Sequence, residues 1–549
     1  MTISRLRLAF WITALVWLVG FGEAAQAASL PAEALRIARR LAIQDNGRLK
    51  PFDSFARETL VRIAGSPTWE HEDPVETVLA IIASPEHWQA EALISVPFVP
   101  LREPLGLERR ASRISYNDLV ASRKLMRMLP PIVQKQRREE KLSIQEQETM
   151  DAFERFVSFS GLIEQRLHVV PPPSLAGGSW VPILASAGYP DDQQAVLRNA
   201  WSTFISAIRQ GQAQVITAAA RQLRETLQAA HPGAYPSPWR MELEVFYNRA
   251  GPFRTARLAY LLAALAFLLS LTIKAQWPPS IGLAALVAGF LLHGAGIAMR
   301  VVLGGRPPVS NFYETTLWLP FVAVAISLAF ERIYRVRFFG LAAALLASIT
   351  LVLADHLPLD SSSSPVVAVL RSNLWLTVHV LTIVASYGAL ALATVLAHLY
   401  GWLYVARRST HPTLSSLDIF LYRALQVGVV LLAAGIMLGA VWANASWGRY
   451  WGWDPKETWA LITLLWFLAV LHGRFAGWIK GVGVALATIG GFFLLLMTYY
   501  GVSFYLVGLH SYAGGHAKPL PPLLIAYLVA EVAFLALVGL VALRRQRLA

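Results

Sequence analysis

The hydrophobic pattern changes character near residue 256. Before it, polar and charged positions interrupt every apolar run; after it, apolar runs of bilayer-spanning length follow one another. Nine such runs lie at 256–273, 279–300, 316–332, 337–354, 375–404, 419–441, 457–473, 480–506 and 520–543. They do not alternate as half-buried strands would, and each is long enough, or nearly so, for a helix to cross a membrane. The pattern predicts an all-α chain, a polytopic membrane bundle of about nine helices at 256–545, preceded by a mainly helical exported domain at 28–250. Within that domain a charge-dense helical pattern runs from Ser122 to Leu167, and its bland reading is a solvated helix face. A breaker follows at 171–180, then helix over Asp192–Ala230. Pro232, Pro236 and Pro238 punctuate the approach to the first span. No run reads as a strand and no internal repeat is visible.

The first 27 residues place the domain that follows. Arg5 and Arg7 precede the short apolar run Leu8–Phe21, and Ala25-Gln26-Ala27 fits a small-residue cleavage site. This reads as a secretory signal peptide, or as an anchor helix that is not removed. With the domain outside, every second loop should be basic. The loops ERIYRVR (331–337), ARRSTH (406–411), HGRFAGWIK (472–480) and the tail RRQRLA (544–549) follow that rule. The expected location is the cytoplasmic membrane, with the exported domain and the segment 447–459 on its outer side.

Composition agrees. Of 549 residues, 55% are hydrophobic and 15% charged, too apolar a balance for an ordinary soluble chain of this size. The net charge of +14 does not point to nucleic acid, because much of the basic charge in the membrane part sits in the orienting loops. There is no cysteine, which excludes disulfides, thiol chemistry by the chain itself and a C-x-x-C-H haem attachment motif of its own.

The candidate chemistry centres on WGRYWGWDPKETW, residues 447–459. Asp454, Pro455 and Glu457 spell a helix start: N-cap, proline at the first helical position and a capping box. Asn311 and Glu314 in an earlier loop have the same spacing and the same capping reading. Aromatic residues at membrane interfaces ordinarily form belts scattered over many helices, whereas Trp447, Tyr450, Trp451, Trp453 and Trp459 share one short segment. That density suits a flat aromatic ligand, and Arg449, Lys456 and the helix N-terminus suit acidic groups on its rim. A planar molecule with carboxylates points to haem, whose iron takes histidine ligands. Of 12 histidines, His379 and His510 fall on the same membrane face as the segment. His472 lies about 25 Å further along the following helix at 1.5 Å per residue, so it belongs to a separate inner site if it binds haem. His293 and His398 are also at membrane depth, where ionisable groups are costly.

WGRYWGWDPKETWALI resembles the WWD motif of haem-handling proteins. PPVSNFYET (307–315), LWLTVHV around His379, His472 and GVSFYLVGLHSY around His510 follow in the order found in the CcsA (ResC) portion of the system II cytochrome c synthase. IQDNGRLKPFDSFARETL (43–60) is similar to the segment that precedes CcsA in fused members. The resemblance implies cytochrome c maturation: haem b is held by His379 and His510 beside the motif, and by His472 nearer the cytoplasmic side. It also implies a CcsB (ResB) partner subunit supplying the other inner ligand, and a reduced apocytochrome c with a C-x-x-C-H motif kept reduced by thiol-reducing proteins. The chain would then be the membrane subunit of a haem lyase, with no catalytic residue beyond those that position haem. Rival readings are a haem exporter or chaperone-loading protein of the CcmC or CcmF kind, a b-type electron carrier, and an assembly subunit without haem.

Overall fold

A computed structural model describes residues 30–174, 178–273, 275–334, 336–357, 359, 374–406, 412–510 and 520–548. The segment 1–27, expected to be a signal peptide or anchor, and residues 360–373, 407–411 and 511–519 lie outside these. The chain forms two compact units. One holds the chain up to Asp45 with Leu49–Lys124 and Ala152–Ser237; the other holds Asn46–Arg48, Leu125–Asp151 and the chain from Pro238 onward.

The first unit is mainly helical, with α1 at Ala32–Arg39, α2 at Phe52–Ala64, α3 at Asp191–Gln210 and α4 at Ala213–Ala230 among its helices. The helical stretch expected over Asp192–Ala230 is therefore two helices, parted at Gly211, whose φ of +72° suits a residue without Cβ. Strands are present, contrary to the sequence reading. β1 (Ala42–Asp45) pairs with β2 (Arg48–Pro51), and β3 (Ile94–Ser95) pairs antiparallel with β4 (Arg113–Ile114). Asn46 and Gly47 turn the first pair with φ of +49° and +73°, the two left-handed residues of a tight hairpin. The Asn-Gly signal was there, but strands of four and two residues are too short to show alternation. Lys50 on β2 is 1% exposed, with Nζ held by Asp45 (2.9 Å) and Glu58 (2.5 Å), the pairing a buried ammonium requires.

The second unit is a bundle. Nine helices among the described residues are long and apolar enough to cross a membrane, and the protein is a multi-pass membrane protein. They are α5 (Pro252–Ser270, at the end of a longer span from Pro238), α6 (Trp277–Gly304), α7 (Phe312–Tyr334), α8 (Phe338–His356), α9 (Leu374–Ala406), α10 (Pro412–Trp447), α11 (Pro455–Phe475), α12 (Val482–Leu496) and α13 (Pro522–Leu548). All nine expected spans are found. A five-residue π turn, Met497–Gly501, and the short helix Val502–Tyr505 continue α12.

Without a hydrophobic drive between helices in lipid, close packing of small residues holds such a bundle together. α9 is its centre, buried along most of its length from Ile383 to Tyr404. Ala342, Ala343, Ala344 and Ala347 of α8 and Ala393 and Ala397 of α9 are fully buried. At Gly388 backbone meets backbone: a Cβ there would stand 2.6 Å from the Leu319 carbonyl oxygen of α7. Backbone cannot yield as a side chain can, so Gly388→Val is expected to separate α7 and α9 and to cost upward of about 1–3 kcal/mol. A fall in the detergent melting temperature, set beside Gly539→Val on open α13, checks this.

Several polar groups inside the bundle are paired. Glu314 on α7 accepts from Arg300 (3.1 Å), Arg306 (2.7 Å) and the Ser310 N–H (2.9 Å), while its own N–H donates to Asn311 Oδ1 (2.8 Å). The Asn311 cap is thus present, and Glu314 adds a buried ion pair that its spacing alone did not reveal. His398 on α9 uses both nitrogens, Nδ1 with the Thr394 carbonyl (2.8 Å) and Nε2 with Glu531 of α13 (2.9 Å). His293 is fully buried among Phe253, Tyr260 and Phe321. His398 therefore has no free nitrogen, whereas His293 engages the Tyr260 hydroxyl through Nδ1 (3.3 Å) and its buried Nε2 has no hydrogen-bond partner among the described residues.

Candidate haem-handling site

The segment 447–459 joins the end of α10 to the start of α11. Trp447 closes α10, Gly448 turns with φ +72°, and Asp454 caps α11. The capping box is complete: Asp454 accepts from the Lys456 N–H (2.9 Å), and Glu457 Oε2 takes the N–H groups of Gly452 (2.8 Å) and Asp454 (3.1 Å). Those two N–H groups flank Trp453, which has φ +57°. A bulky residue pays about 1–2 kcal/mol for that conformation, so the Glu457 bonds hold a backbone that turns Trp453 outward, 70% exposed. Tyr450 is likewise exposed, Trp451 meets Trp453 edge-on at 5.8 Å, and Trp459 is half-buried.

Asp454 does more than cap. Its carboxylate also accepts the Leu509 N–H (2.7 Å) and His510 Nδ1 (3.0 Å). Burial pushes this carboxyl up, but the bonds from His510, the Lys456 N–H and the Leu509 N–H outweigh burial and hold it below the ordinary carboxylate range. Gly508 makes the approach feasible, because a Cβ there would stand 2.5 Å from Asp454 Oδ2. Since the carboxylate only accepts, His510 Nδ1 carries the proton and Nε2 keeps its lone pair.

His379, on the first turns of α9, is held in a similar way by α10. Its Nδ1 donates to the Gly435 carbonyl (2.8 Å), and Gly439 leaves room for the ring, since a Cβ there would lie 2.6 Å from His379 Cε1. Nδ1 again carries the proton and Nε2 is the free acceptor. No hydrogen bond to Nε2 of either histidine is formed among the described residues. The two imidazoles share a neighbour: the Trp442 ring lies 6.2 Å from His379, with planes 8° apart, and 5.8 Å from His510; Trp447 stands edge-on to His510 at 5.4 Å.

His379, His510, Trp447 and Asp454 are therefore brought together, while Tyr450, Trp451 and Trp453 face outward beside them. His472 stands apart at the other end of α11, exposed, with Nδ1 bonded back to the Leu468 carbonyl (2.8 Å). Near it Arg474 pairs with Asp418 (2.6 Å), and the flanking Phe475 and Trp478 are 86% and 84% exposed.

One expectation changes. Lys456 does not face the rim; its Nζ turns into the bundle to the Tyr499 carbonyl (3.2 Å) of the π turn and Ser503 Oγ (2.9 Å) of the short helix after it. Arg449 lies across Gly452, where a Cβ would collide with its guanidinium. Trp442 lies one residue beyond the apolar run that ends at 441, and Gly435 and Gly439 lie inside that run, where small residues carry no chemistry of their own. The small-x-x-x-small spacing at 435–439 was the available signal that something approaches α10 closely.

A family model described as cytochrome C assembly protein matches residues 309–510. Protein NrfI of Wolinella succinogenes is 29% identical over 509 residues, which cover 86% of this chain and 54% of that protein. The cytochrome c biogenesis protein CcsA of Prochlorococcus marinus NATL1A is 32% identical over 293 residues, 46% of this chain and 92% of that protein. The chain belongs to the CcsA family of cytochrome c biogenesis proteins. The CcsA of Guillardia theta, 35% identical over 252 residues and 82% covered, agrees. The chain spans about half the length of NrfI but most of these CcsA proteins. The matched region of the family model runs from just before α7 to His510, so it contains His379, the 447–459 segment and His472.

Proposed function

We propose that this CcsA-type chain holds haem b between His379 and His510, beside the 447–459 segment, and presents it for covalent attachment to apocytochrome c on the outer face of the cytoplasmic membrane. The observation that carries this reading is the matched state of the two imidazoles. Each has its Nδ1–H engaged, by the Gly435 carbonyl and by Asp454, which leaves each Nε2 as a ready iron ligand. Histidines that bind metals are oriented in this way, and the carboxylate partner raises the basicity of the ring. The outward aromatic segment supports the reading, since it offers flat apolar surface to a porphyrin. Arg449, with no acidic partner among the described residues, offers a cation to a propionate.

Haem is the cargo here. At attachment, each thiol of a C-x-x-C-H motif adds its S–H across one haem vinyl group: an S–C bond forms and the proton goes to the other vinyl carbon. No oxidant and no cysteine of this chain is needed. The chain's part is to orient the haem, shield the iron and release it to the client's own histidine. His472, exposed at the opposite end, fits the inner holding site, completed by a histidine of a CcsB-like partner. The domain at 28–250 would lie on the outer side, where the client arrives.

The test is attachment. The purified chain with its CcsB-like partner, given haem and a reduced C-x-x-C-H apocytochrome, is expected to yield a product that keeps haem in denaturing gels and gains the mass of one haem. Haem that binds to the chain but never becomes covalent would reassign it as a haem carrier.

A further inference from the structure

The two histidines assigned to haem lie on different elements, one in α9 and one in the loop after α12, and only one aromatic ring among the described residues meets both. That ring belongs to Trp442 of α10. Its indole is nearly parallel to His379, at 6.2 Å and 8°, and meets His510 at 5.8 Å and 61°; Trp447 stands edge-on to it at 4.6 Å and 67°. Trp442 is 3% exposed, and its Nε1–H is buried with no hydrogen-bond partner among the described residues. Packing against these rings, and no hydrogen bond, therefore fixes where the indole sits. It also lies on the face of α10 that carries Gly435 and Gly439, one and two turns earlier, so a single helix face supplies the His379 hydrogen bond, the space for the ring and the plate beside it.

We propose that Trp442 is a positioning residue of the haem site, setting the relative planes of the His379 and His510 imidazoles. The proposal rests on the assignment of those histidines to haem. An imidazole held only by Nδ1 can still swing about that bond, and each hydrogen bond fixes its own ring without reference to the other. A common aromatic neighbour couples the two orientations. Its removal should leave both ligands in place but less well aligned, which loosens the hold on iron and shifts the spectrum of the bound haem. A residue serving only to pack α10 would lower stability without touching either readout.

The experiment compares wild type, Trp442→Ala and Trp442→Phe as full-length protein purified with its partner and loaded with haem. The low-spin ferric electron paramagnetic spectrum and the rate at which free imidazole replaces a protein ligand are the readouts. Trp442→Ala is expected to shift the largest g value and to speed exchange by about tenfold, the scale of losing an outer-shell support; Trp442→Phe, which keeps an aromatic plate, should recover most of both. If Trp442→Ala holds no haem until imidazole is added, the ligands are misaligned and the proposal stands. A wild-type spectrum and exchange rate in Trp442→Ala would overturn it, as would a loss of haem that neither imidazole nor Trp442→Phe restores. Failure of the underlying assignment looks different: haem binding would then be indifferent to His379→Gly and His510→Gly in a chain that keeps Trp442.

Discussion

Substitution by glycine of His379 or His510, the proposed ligands, is expected to remove the low-spin haem spectrum of the haem-loaded protein, and free imidazole is expected to bring it back. Each histidine offers one Nε2, so either change leaves five-coordinate iron and weakens retention by more than the roughly 10–100-fold that follows loss of an outer-shell support. Rescue follows from geometry. Glycine leaves a hole the size of the lost ring, and the groups that held it remain: the Gly435 carbonyl for His379, the Asp454 carboxylate for His510. A diffusing imidazole finds the same acceptor for one N–H and turns its other nitrogen to the iron. The contrast is His398→Gly. Both of its nitrogens are already bound, one to Glu531 of α13, so this variant should keep the spectrum and lose stability instead, about 1–3 kcal/mol for the stranded carboxylate. Soret and α bands of the three variants, with and without imidazole, check the whole pattern. Equal spectra in wild type, His379→Gly and His510→Gly would remove haem from this end of the bundle.

The helices of the bundle were legible because lipid imposes one rule on all of them: about twenty apolar residues with every backbone bond made internally. Composition alone therefore located all nine. Their ends were less legible. α10 runs on to Trp447, six residues past its expected end, because residues 442–447 are polar and aromatic yet still helical where the chain leaves the apolar layer. That extension carries Trp442 to the histidines, and no periodicity could have announced it. In the first unit the failure has another cause. Its strands are two to four residues long, set by a turn and by the Lys50 ion pairs and not by an alternating pattern.

The geometry of the proposed site was half legible. Histidine identity and loop position pointed to His379 and His510, and the spacing of Asp454, Pro455 and Glu457 spelled a cap that the structure contains. What spacing could not show is that the cap residue reaches a histidine 56 positions later. Nor could it show which histidines are already spent, as His398 is. Both depend on contacts between elements distant in sequence, and a lone chain carries no record of them. Lys456 makes the same point in reverse: beside the cap it reads as a surface cation, but the π turn and the short helix after it each offer it an oxygen inside the bundle.

Asp454→Ala should separate the two duties of the cap. The carboxylate serves the Lys456 N–H, the Leu509 N–H and His510. Alanine removes all three bonds. Loss of the cap costs about 1 kcal/mol, and release of His510 lets its proton move to Nε2, where it blocks the iron, so haem affinity should fall by about 10–100-fold. Asparagine restores capping fully, being as good an N-cap as aspartate. With its oxygen at Oδ1 it keeps Lys456 and His510, but its amide then opposes the Leu509 N–H, and the charge that strengthened the imidazole is gone. Asp454→Asn should therefore recover the melting temperature while haem affinity stays between alanine and wild type. The pH dependence has a fixed sign. The folded carboxyl sits below its unfolded value of about 3.9, so its contribution is complete above that value and fades only as pH falls through the lower folded one. Between pH 5 and 8, about one to four units above that reference, Asp454 adds no slope to stability. Haem titrations and melting curves of the three proteins decide the matter: an alanine variant that melts early but binds haem like wild type would reduce Asp454 to a helix cap.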